Sequence, residues 1–179
     1  FAKQLVQRLR EHGHVVGIIS KCHCSVQNFG AGCVTADHLV NRYARHGSPK
    51  CSYLFVDELS QINVTLWCLL GLVKMRGVKL ILLGDFQQFA AVQDHWAGAP
   101  ISEDLLEKSQ LLWELASGRR LRLTTNHRSD QRLFDFYSQI DVRKDSVYDW
   151  LERACEHFPV TSRLAGTKLV ISRRERLSI

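Results

Sequence analysis

The chain has 179 residues, of which 45% are apolar, and a formal net charge of +6 from 24 Lys and Arg against 18 Asp and Glu. This length fits one full α/β domain and part of another, and the apolar content excludes a disordered chain. No apolar run reaches the roughly 18 residues needed to cross a bilayer, and the basic excess favours a polyanionic partner, although a functionless basic surface gives the same charge.

Continuous apolar runs along the chain predict strands, at residues 15–19, 53–56 and 79–83. Helical periodicity and flanking glycines predict helices before, between and after these strands, at residues 1–12, 64–75 and 103–116. Strands without polar alternation are buried on both faces, and helices that separate them cover a parallel sheet on each side. The predicted fold class is therefore α/β, with a parallel sheet between helices.

Polar or glycine residues follow each predicted strand directly. They are Ser20-Lys21, Asp57-Glu58 and Gly84-Asp85. In parallel sheets that are covered on both faces, ligands bind outside the carboxyl ends of the strands. We therefore expect the functional site among these three pairs.

The strongest local pattern is Leu54-Phe55-Val56-Asp57-Glu58, an apolar strand that ends in two carboxylates. Phosphoryl transfer from a nucleotide needs Mg²⁺ and a group that orients the attacking water. Asp57 is the candidate magnesium ligand, and Glu58 is the candidate group that activates the water. The alternative is an acidic turn at the strand end with no catalytic role.

A second pattern, Gly84-Asp85-Phe86-Gln87-Gln88, follows the next strand. Asp85 lies 28 positions after Asp57, a spacing that fits one strand, crossover helix and strand unit and makes the two sites neighbours. A glutamine here can hydrogen-bond the terminal phosphate of a nucleotide and sense its loss. By itself Gln88 is equally compatible with a surface amide.

A third pattern, Asn126-His127-Arg128, follows a predicted strand at residues 120–123 and lies beyond a possible domain boundary at Ser117-Gly118. An arginine that reaches the transferred phosphate from a second domain is an arginine finger, and it couples hydrolysis to domain closure. The alternative for Arg128 is a surface arginine at the start of a helix.

The order of these patterns resembles the superfamily 1 helicases, in particular the B-type branch that includes RecD-like and related viral enzymes. Asp57-Glu58 with Ser60-Gln61 is similar to the Walker B motif of that family. The segment from Gly84 to Gln88 is similar to its motif III, and Asn126-His127-Arg128 is similar to its motif IV. The resemblance spans most of the chain.

The resemblance implies a RecA-like P-loop NTPase domain at residues 1–117, truncated before its first helix, and an incomplete second RecA-like domain at residues 118–179. It implies an ATP-dependent helicase or translocase that uses ATP and Mg²⁺. Nucleotide and metal contacts are then expected at five residues: Asp57, Glu58, Asp85, Gln88 and Arg128. A strand at residues 168–171 resembles a piece of the second domain, with no assigned role.

Two upstream segments are similar to family motifs that contact single-stranded nucleic acid. Ser20-Lys21-Cys22-His23 resembles motif Ia, and the segment from Thr35 to His38 resembles the motif after it. The resemblance makes Cys22, His23, Thr35 and His38 candidate contacts to a single strand, DNA in preference to RNA. Capping or packing is the alternative for the two histidines.

The chain departs from the family pattern in its phosphate loop, because no G-x-x-x-x-G-K-[ST] occurs in its residues. We expect the loop upstream of Phe1, and we expect the isolated chain to be inactive. Residues 89–92 also lack the prolines that family members carry after the motif III glutamine. Two alternatives remain open: a non-catalytic remnant of a helicase that binds nucleic acid or another protein, and a P-loop ATPase that does not act on nucleic acid.

The six cysteines show no paired C-x-x-C arrangement, and several lie within apolar runs. Cysteines in such runs pack as small hydrophobic side chains. We therefore expect reduced thiols, a soluble intracellular protein and no membrane partner. Cys22, His23 and Cys24 are too close in sequence to surround a single tetrahedral zinc ion.

Overall fold

A computed structural model describes residues 1–21, 29, 33–39, 42, 47, 49–86, 88, 91, 94–127, 129–140 and 146–159 of the chain. The chain forms two compact units, Phe1–Thr124 and Thr125–Ile179. The division between them falls a few residues after Ser117-Gly118, the domain boundary that the sequence predicts. Within the described ranges, no helix has both the length and the apolar content that a membrane span requires.

The first unit is built on a parallel sheet whose strands are β1 Val16–Ser20, β2 Cys33–Thr35, β3 Tyr53–Asp57 and β4 Lys79–Leu82. The spatial order is β2-β1-β3-β4, and every pairing is parallel. The α/β class, with a parallel sheet flanked by helices, is therefore confirmed. The strand β2 was not predicted, because three half-buried residues next to polar ones give too short a pattern.

Five helices accompany the sheet in the described part of this unit. They are α1 Ala2–Glu11, α2 Ala36–Leu39, α3 Val64–Met75, α4 Glu103–Glu107 and α5 Gln110–Leu115. The longest, α3, has the predicted bounds because Asn63 caps its first turn, accepting the backbone N–H of Leu66 at 3.0 Å. A small antiparallel hairpin, β5 His95–Trp96 and β6 Ala99–Pro100, precedes α4.

Both faces of β3 are buried, against different helices. Leu54 and Val56 belong to a core cluster with Trp67 and Leu70 of α3. Phe55, which points to the other face, packs in a second cluster with Val6 of α1. This two-sided burial explains why the strand has a continuous apolar sequence.

The single helix predicted at residues 103–116 is wrong, because the structure has the two short helices α4 and α5. Ser109 has extended backbone dihedrals between them. Its hydroxyl donates to the Leu106 carbonyl at 2.7 Å and accepts the backbone N–H of Leu112 at 3.1 Å. A serine that bonds neighbouring backbone groups in this way ends one helix and caps the next.

The strand predicted at residues 120–123 is also wrong, because these residues have no regular secondary structure. Leu121 is 92% exposed and Leu123 is 67% exposed. Alternating leucines form a strand only where a neighbouring strand accepts their backbone hydrogen bonds. Within the described residues none pairs with this segment.

In its described part the second unit contains two helices, α6 Gln131–Ser138 and α7 Val147–His157. The Phe136 ring lies edge-on to the rings of Trp150, His157 and Phe158, with centroids 5.3–5.5 Å apart. This aromatic cluster joins α6 to the end of α7. The strand expected at residues 168–171 lies outside the described residues.

Candidate functional site

The carboxyl ends of four strands form one edge of the sheet. Ser20 at the end of β1 is the register partner of Thr35 in β2 and of Asp57 in β3. Val56 pairs with Leu82, so Gly84 and Asp85 leave β4 at the same edge as Asp57 and Glu58. The prediction that the strands leading to Asp57 and Asp85 are neighbours is therefore confirmed.

The Asp57 carboxyl is half-buried at this edge. Burial raises its pKa above the ordinary value of 3.8, and a hydrogen bond from the Glu58 backbone N–H opposes that shift. The carboxylate is therefore less well solvated than one on an open surface. A partly desolvated carboxylate at the end of a buried strand is a suitable ligand for a bound cation, which would restore its stabilisation.

Glu58 adopts a left-handed backbone conformation, with φ 55° and ψ 46°. This region costs a residue with a Cβ roughly 1–3 kcal/mol, and such strain is found at functional sites. The turn after it, the 3₁₀ helix Leu59–Gln61, holds Glu58 in place because the Gln61 N–H donates to the Glu58 carbonyl at 3.0 Å. The side chain of Glu58 is therefore presented from a fixed backbone.

The segment after β4 brings Asp85 and Gln88 together. The Gln88 side-chain amide donates to the Asp85 carboxylate at 3.4 Å, and the Gln88 backbone N–H donates to the Asp85 carbonyl at 3.3 Å. Both residues are exposed, whereas Phe86 between them is buried against Trp67. The buried ring anchors the segment and leaves the amide and carboxylate at the surface.

Two buried hydroxyls at this edge have no hydrogen-bond partner among the described residues. They belong to Ser20, next to Asp57 in the sheet, and to Ser60, in the turn after Glu58. Unsatisfied buried hydroxyls are rare and need an explanation, such as a bound water or ion. Sequence reasoning included both serines in motifs but gave them no role; their positions just after strand ends were the available signal.

The residues predicted to bind a single strand are only partly described. The hydroxyl of Thr35 accepts the backbone N–H of His38 at 3.3 Å and caps the short helix α2, whereas the His38 side chain is exposed. Lys21 pairs with Asp37 at 3.5 Å beside them. Cys22 and His23 lie outside the described residues.

Asn126, from the third sequence pattern, closes a tight turn in the second unit. Its side chain donates to the Ser129 carbonyl at 2.7 Å and accepts the Ser129 N–H at 3.3 Å. Asp130 then caps helix α6 by accepting the Leu133 N–H at 2.9 Å. Arg128 is outside the described residues.

The part of the chain that the structure describes contains no cluster of three or more His, Cys, Asp or Glu side chains that could hold a metal ion. Mg²⁺ at phosphoryl-transfer sites needs only one or two carboxylates, because water and substrate phosphates complete its octahedral coordination. Asp57, with the unsatisfied hydroxyls near it, therefore fits such an ion as a single direct ligand.

Two cavities are lined by described residues, and neither lining includes a residue of this edge. One of about 310 Å³ is lined by α1 residues, including Lys3 and Arg10, together with Phe29. Another of about 470 Å³ lies in the second unit between Arg132, Phe136 and Phe158. The chemistry of the edge with Asp57 and Glu58, rather than a cavity, therefore identifies it as the candidate site.

Comparison with known proteins gives no family assignment. No protein-family model matches the sequence, and no curated protein sequence matches it. The resemblance to superfamily 1 helicases therefore stays a prediction that depends on the motifs and on the order of the strands that carry them.

Proposed function

We propose that this chain is part of an ATP-dependent helicase or translocase motor, with a RecA-like nucleotide-binding domain in its first unit. One observation carries the proposal. Asp57-Glu58 and Gly84-Asp85 leave adjacent parallel strands at one edge of the sheet. This is where a parallel α/β sheet binds ligands, and the residues are those that phosphoryl transfer requires.

Each residue at the edge has a proposed task. Asp57 binds Mg²⁺, which when bound neutralises the charge that develops on the phosphates. Glu58 accepts a proton from the attacking water, and its fixed backbone limits the directions in which its carboxylate can point. Gln88, held next to Asp85 at 3.4 Å, hydrogen-bonds the terminal phosphate. Arg128 is proposed to complete the site.

A phosphate loop is required for this function and is absent from the 179 residues. The outer side of β4 provides a place for a further strand, since among the described residues β4 pairs only with β3. Leu80, Ile81 and Leu82 on β4 are only half-buried, although parallel strands are normally covered by neighbours. A strand there would bring a loop to the edge that carries Asp57 and Asp85.

The nucleic-acid part of the proposal depends on the segments after β1 and β2. Thr35 lies at the same edge as Asp57, two strands away, and Lys21 lies just after β1. Small polar and basic groups suit contacts to a sugar-phosphate backbone, which a motor must bind whatever the base sequence. An ATPase that does not act on nucleic acid gives these residues no task.

The test is ATP hydrolysis by a protein that carries this sequence together with an upstream Gly-Lys-Thr or Gly-Lys-Ser loop, with and without single-stranded DNA. Hydrolysis that DNA stimulates supports the motor. Hydrolysis without stimulation supports an ATPase of another kind, and no hydrolysis supports a non-catalytic remnant. Single-stranded RNA in the same assay tests the preference for DNA.

A further inference from the structure

Gly84 lies directly against the backbone of the turn that carries Glu58. A Cβ atom at position 84 would lie 3.1 Å from the Leu59 Cβ and 3.3 Å from the backbone nitrogens of both Leu59 and Ser60. These distances are shorter than ordinary van der Waals contact, and two of the three atoms are backbone. A side chain at position 84 can therefore be accommodated only if the turn or the segment that carries Gly84 shifts by a few tenths of an ångström.

The same turn is tied to β4 by a hydrogen bond. The Leu59 N–H donates to the Leu83 carbonyl at 2.9 Å, one residue before Gly84. Leu59 and Ser60 are each 2% exposed. The turn is thus held by the end of β4 and is buried at Leu59 and Ser60, so a side chain at position 84 presses on a packed segment.

Glu58 is the first residue to respond to such a displacement. It precedes Leu59 and has a left-handed backbone conformation that only its surroundings maintain. A movement of the Leu59 nitrogen also moves the Glu58 carbonyl carbon to which it is bonded. This rotates φ of Glu58, which carries the Cβ atom with it and therefore changes the direction of the carboxylate. Misplacement of a catalytic group by about 1 Å can reduce a rate a hundredfold, so a shift of a few tenths of an ångström is expected to reduce it several-fold.

We propose that Gly84 is a positioning residue for Glu58: the absence of a side chain at position 84 sets where the Glu58 carboxylate lies. The inference rests on the proposed function of Glu58 in hydrolysis. It assigns to the glycine a role distinct from that of Asp85 and Gln88, which are exposed and are proposed to contact the ligand directly. Gly84 acts through the backbone of the turn.

The chain offers a matched control for Gly84→Ala. A Cβ at Gly17 would lie 3.2 Å from the Cys51 Sγ and 3.2 Å from the Leu54 Cδ1, both side-chain atoms. Gly17→Ala therefore introduces a similar overlap in the same sheet without pressing on the turn. Gly71→Ala, in helix α3 with open space around it, is expected to stabilise the protein and provides a background for a double variant with Gly84→Ala.

The test measures kcat and KM for ATP in a protein that carries the phosphate loop. Gly84→Ala is expected to lower kcat by about threefold to tenfold and leave KM within about twofold, whereas Gly17→Ala leaves kcat unchanged. If Gly84→Ala alone does not fold, the Gly71→Ala/Gly84→Ala double variant is measured against Gly71→Ala. Wild-type kcat in the Gly84→Ala protein overturns the inference and leaves the proposed function intact.

A second readout needs no nucleotide. In the 179-residue chain, Gly84→Ala is expected to speed hydrogen exchange of the Leu59 amide by about tenfold or more, because its bond to Leu83 is displaced. Unchanged exchange overturns the inference. If the wild-type protein that carries the phosphate loop does not hydrolyse ATP, the proposed function and the catalytic part of the inference both fail. This holds even if hydrogen exchange of the Leu59 amide responds as expected.

Discussion

The indole N–H of Trp67 donates to the backbone carbonyl of Leu59 at 3.3 Å. This hydrogen bond joins helix α3 to the turn that follows Asp57 and Glu58. The Trp67 ring also lies edge-on to Phe86, with centroids 6.2 Å apart. One buried side chain therefore supports both segments of the candidate site, the turn after β3 and the segment after β4.

Trp67→Phe is expected to destabilise the first unit. The Leu59 carbonyl loses this donor but keeps the Ile62 N–H at 3.1 Å, so the lost hydrogen bond costs about 0.5–1.5 kcal/mol, and the smaller ring adds a cavity cost. Trp113→Phe is the control, because Trp113 is 54% exposed and its replacement is expected to change stability by less than about 0.5 kcal/mol. Urea unfolding of both variants measures the difference; equal stabilities would show that the Trp67 contact contributes little.

Asp57→Asn is expected to stabilise the chain at neutral pH. Burial raises the pKa of Asp57 above 3.8 in the folded chain, so the folded protein loses stability as pH rises from about 3.8 through that raised pKa. Above this window the ionised carboxylate opposes folding, and asparagine removes the charge. Thermal unfolding should give Asp57→Asn a higher Tm than wild type at pH 7, and a smaller difference below about pH 4.

The control for this pH effect is Asp149→Asn, since Asp149 is exposed in the first turn of α7. It should give no gain in Tm at pH 7. If Asp57→Asn has the same Tm as wild type at every pH, the Asp57 carboxyl is not desolvated in the folded chain. The stabilising effect is expected together with loss of magnesium-dependent hydrolysis, as happens where function and stability conflict.

Asp94 caps helix α3 from outside the helix. Its carboxylate, 9% exposed, accepts the Val64 N–H with its two oxygens at 3.0 and 3.2 Å. Asp94→Ala is expected to cost about 1–3 kcal/mol in the free energy of unfolding, because a buried N–H loses its acceptor. Asp94→Asn keeps one acceptor oxygen and should give an intermediate loss. Wild-type stability in the alanine variant would refute the cap.

Arg128→Ala tests the proposed arginine finger, whose residue lies outside the described part of the chain. An arginine that stabilises transition-state charge affects turnover more than binding, by about 10³ or more in known examples. We expect kcat to fall and nucleotide affinity to stay close to wild type. Arg153→Ala is the control, because Arg153 is exposed and its guanidinium lies over the Trp150 ring. Equal turnover in both variants would show that Arg128 takes no part in hydrolysis.

The sequence predicted the sheet well because its strands are short, apolar and separated by helices. Val64–Met75 was found with its bounds because the Asn63 cap and the nearby Gly77 mark its ends. The strand Cys33–Thr35 was missed, since three residues carry too little periodicity. The predicted helix is interrupted at Ser109 because the two hydrogen bonds that its hydroxyl makes with the backbone outweigh the apolar pattern on either side.

For the site, sequence spacing was enough to place Asp57 and Asp85 on neighbouring strands, because one crossover connection fixes that adjacency. Three further features depend on tertiary packing and could not be predicted from the sequence. These are the left-handed conformation of Glu58, the unsatisfied hydroxyls of Ser20 and Ser60, and the contact between Gly84 and the turn. They emerge only when the ends of β3 and β4 are brought together.

The most direct test of the account is ATP turnover by Glu58→Gln in a protein that carries the phosphate loop. The amide keeps the shape of the side chain but cannot accept the proton, so we predict that turnover falls by about 10²–10⁴ while nucleotide binding is retained. Glu152→Gln, an exposed position on α7, is the control and should keep wild-type turnover. Wild-type turnover in Glu58→Gln would contradict the assignment of Glu58 and, with it, the proposed nucleotide site.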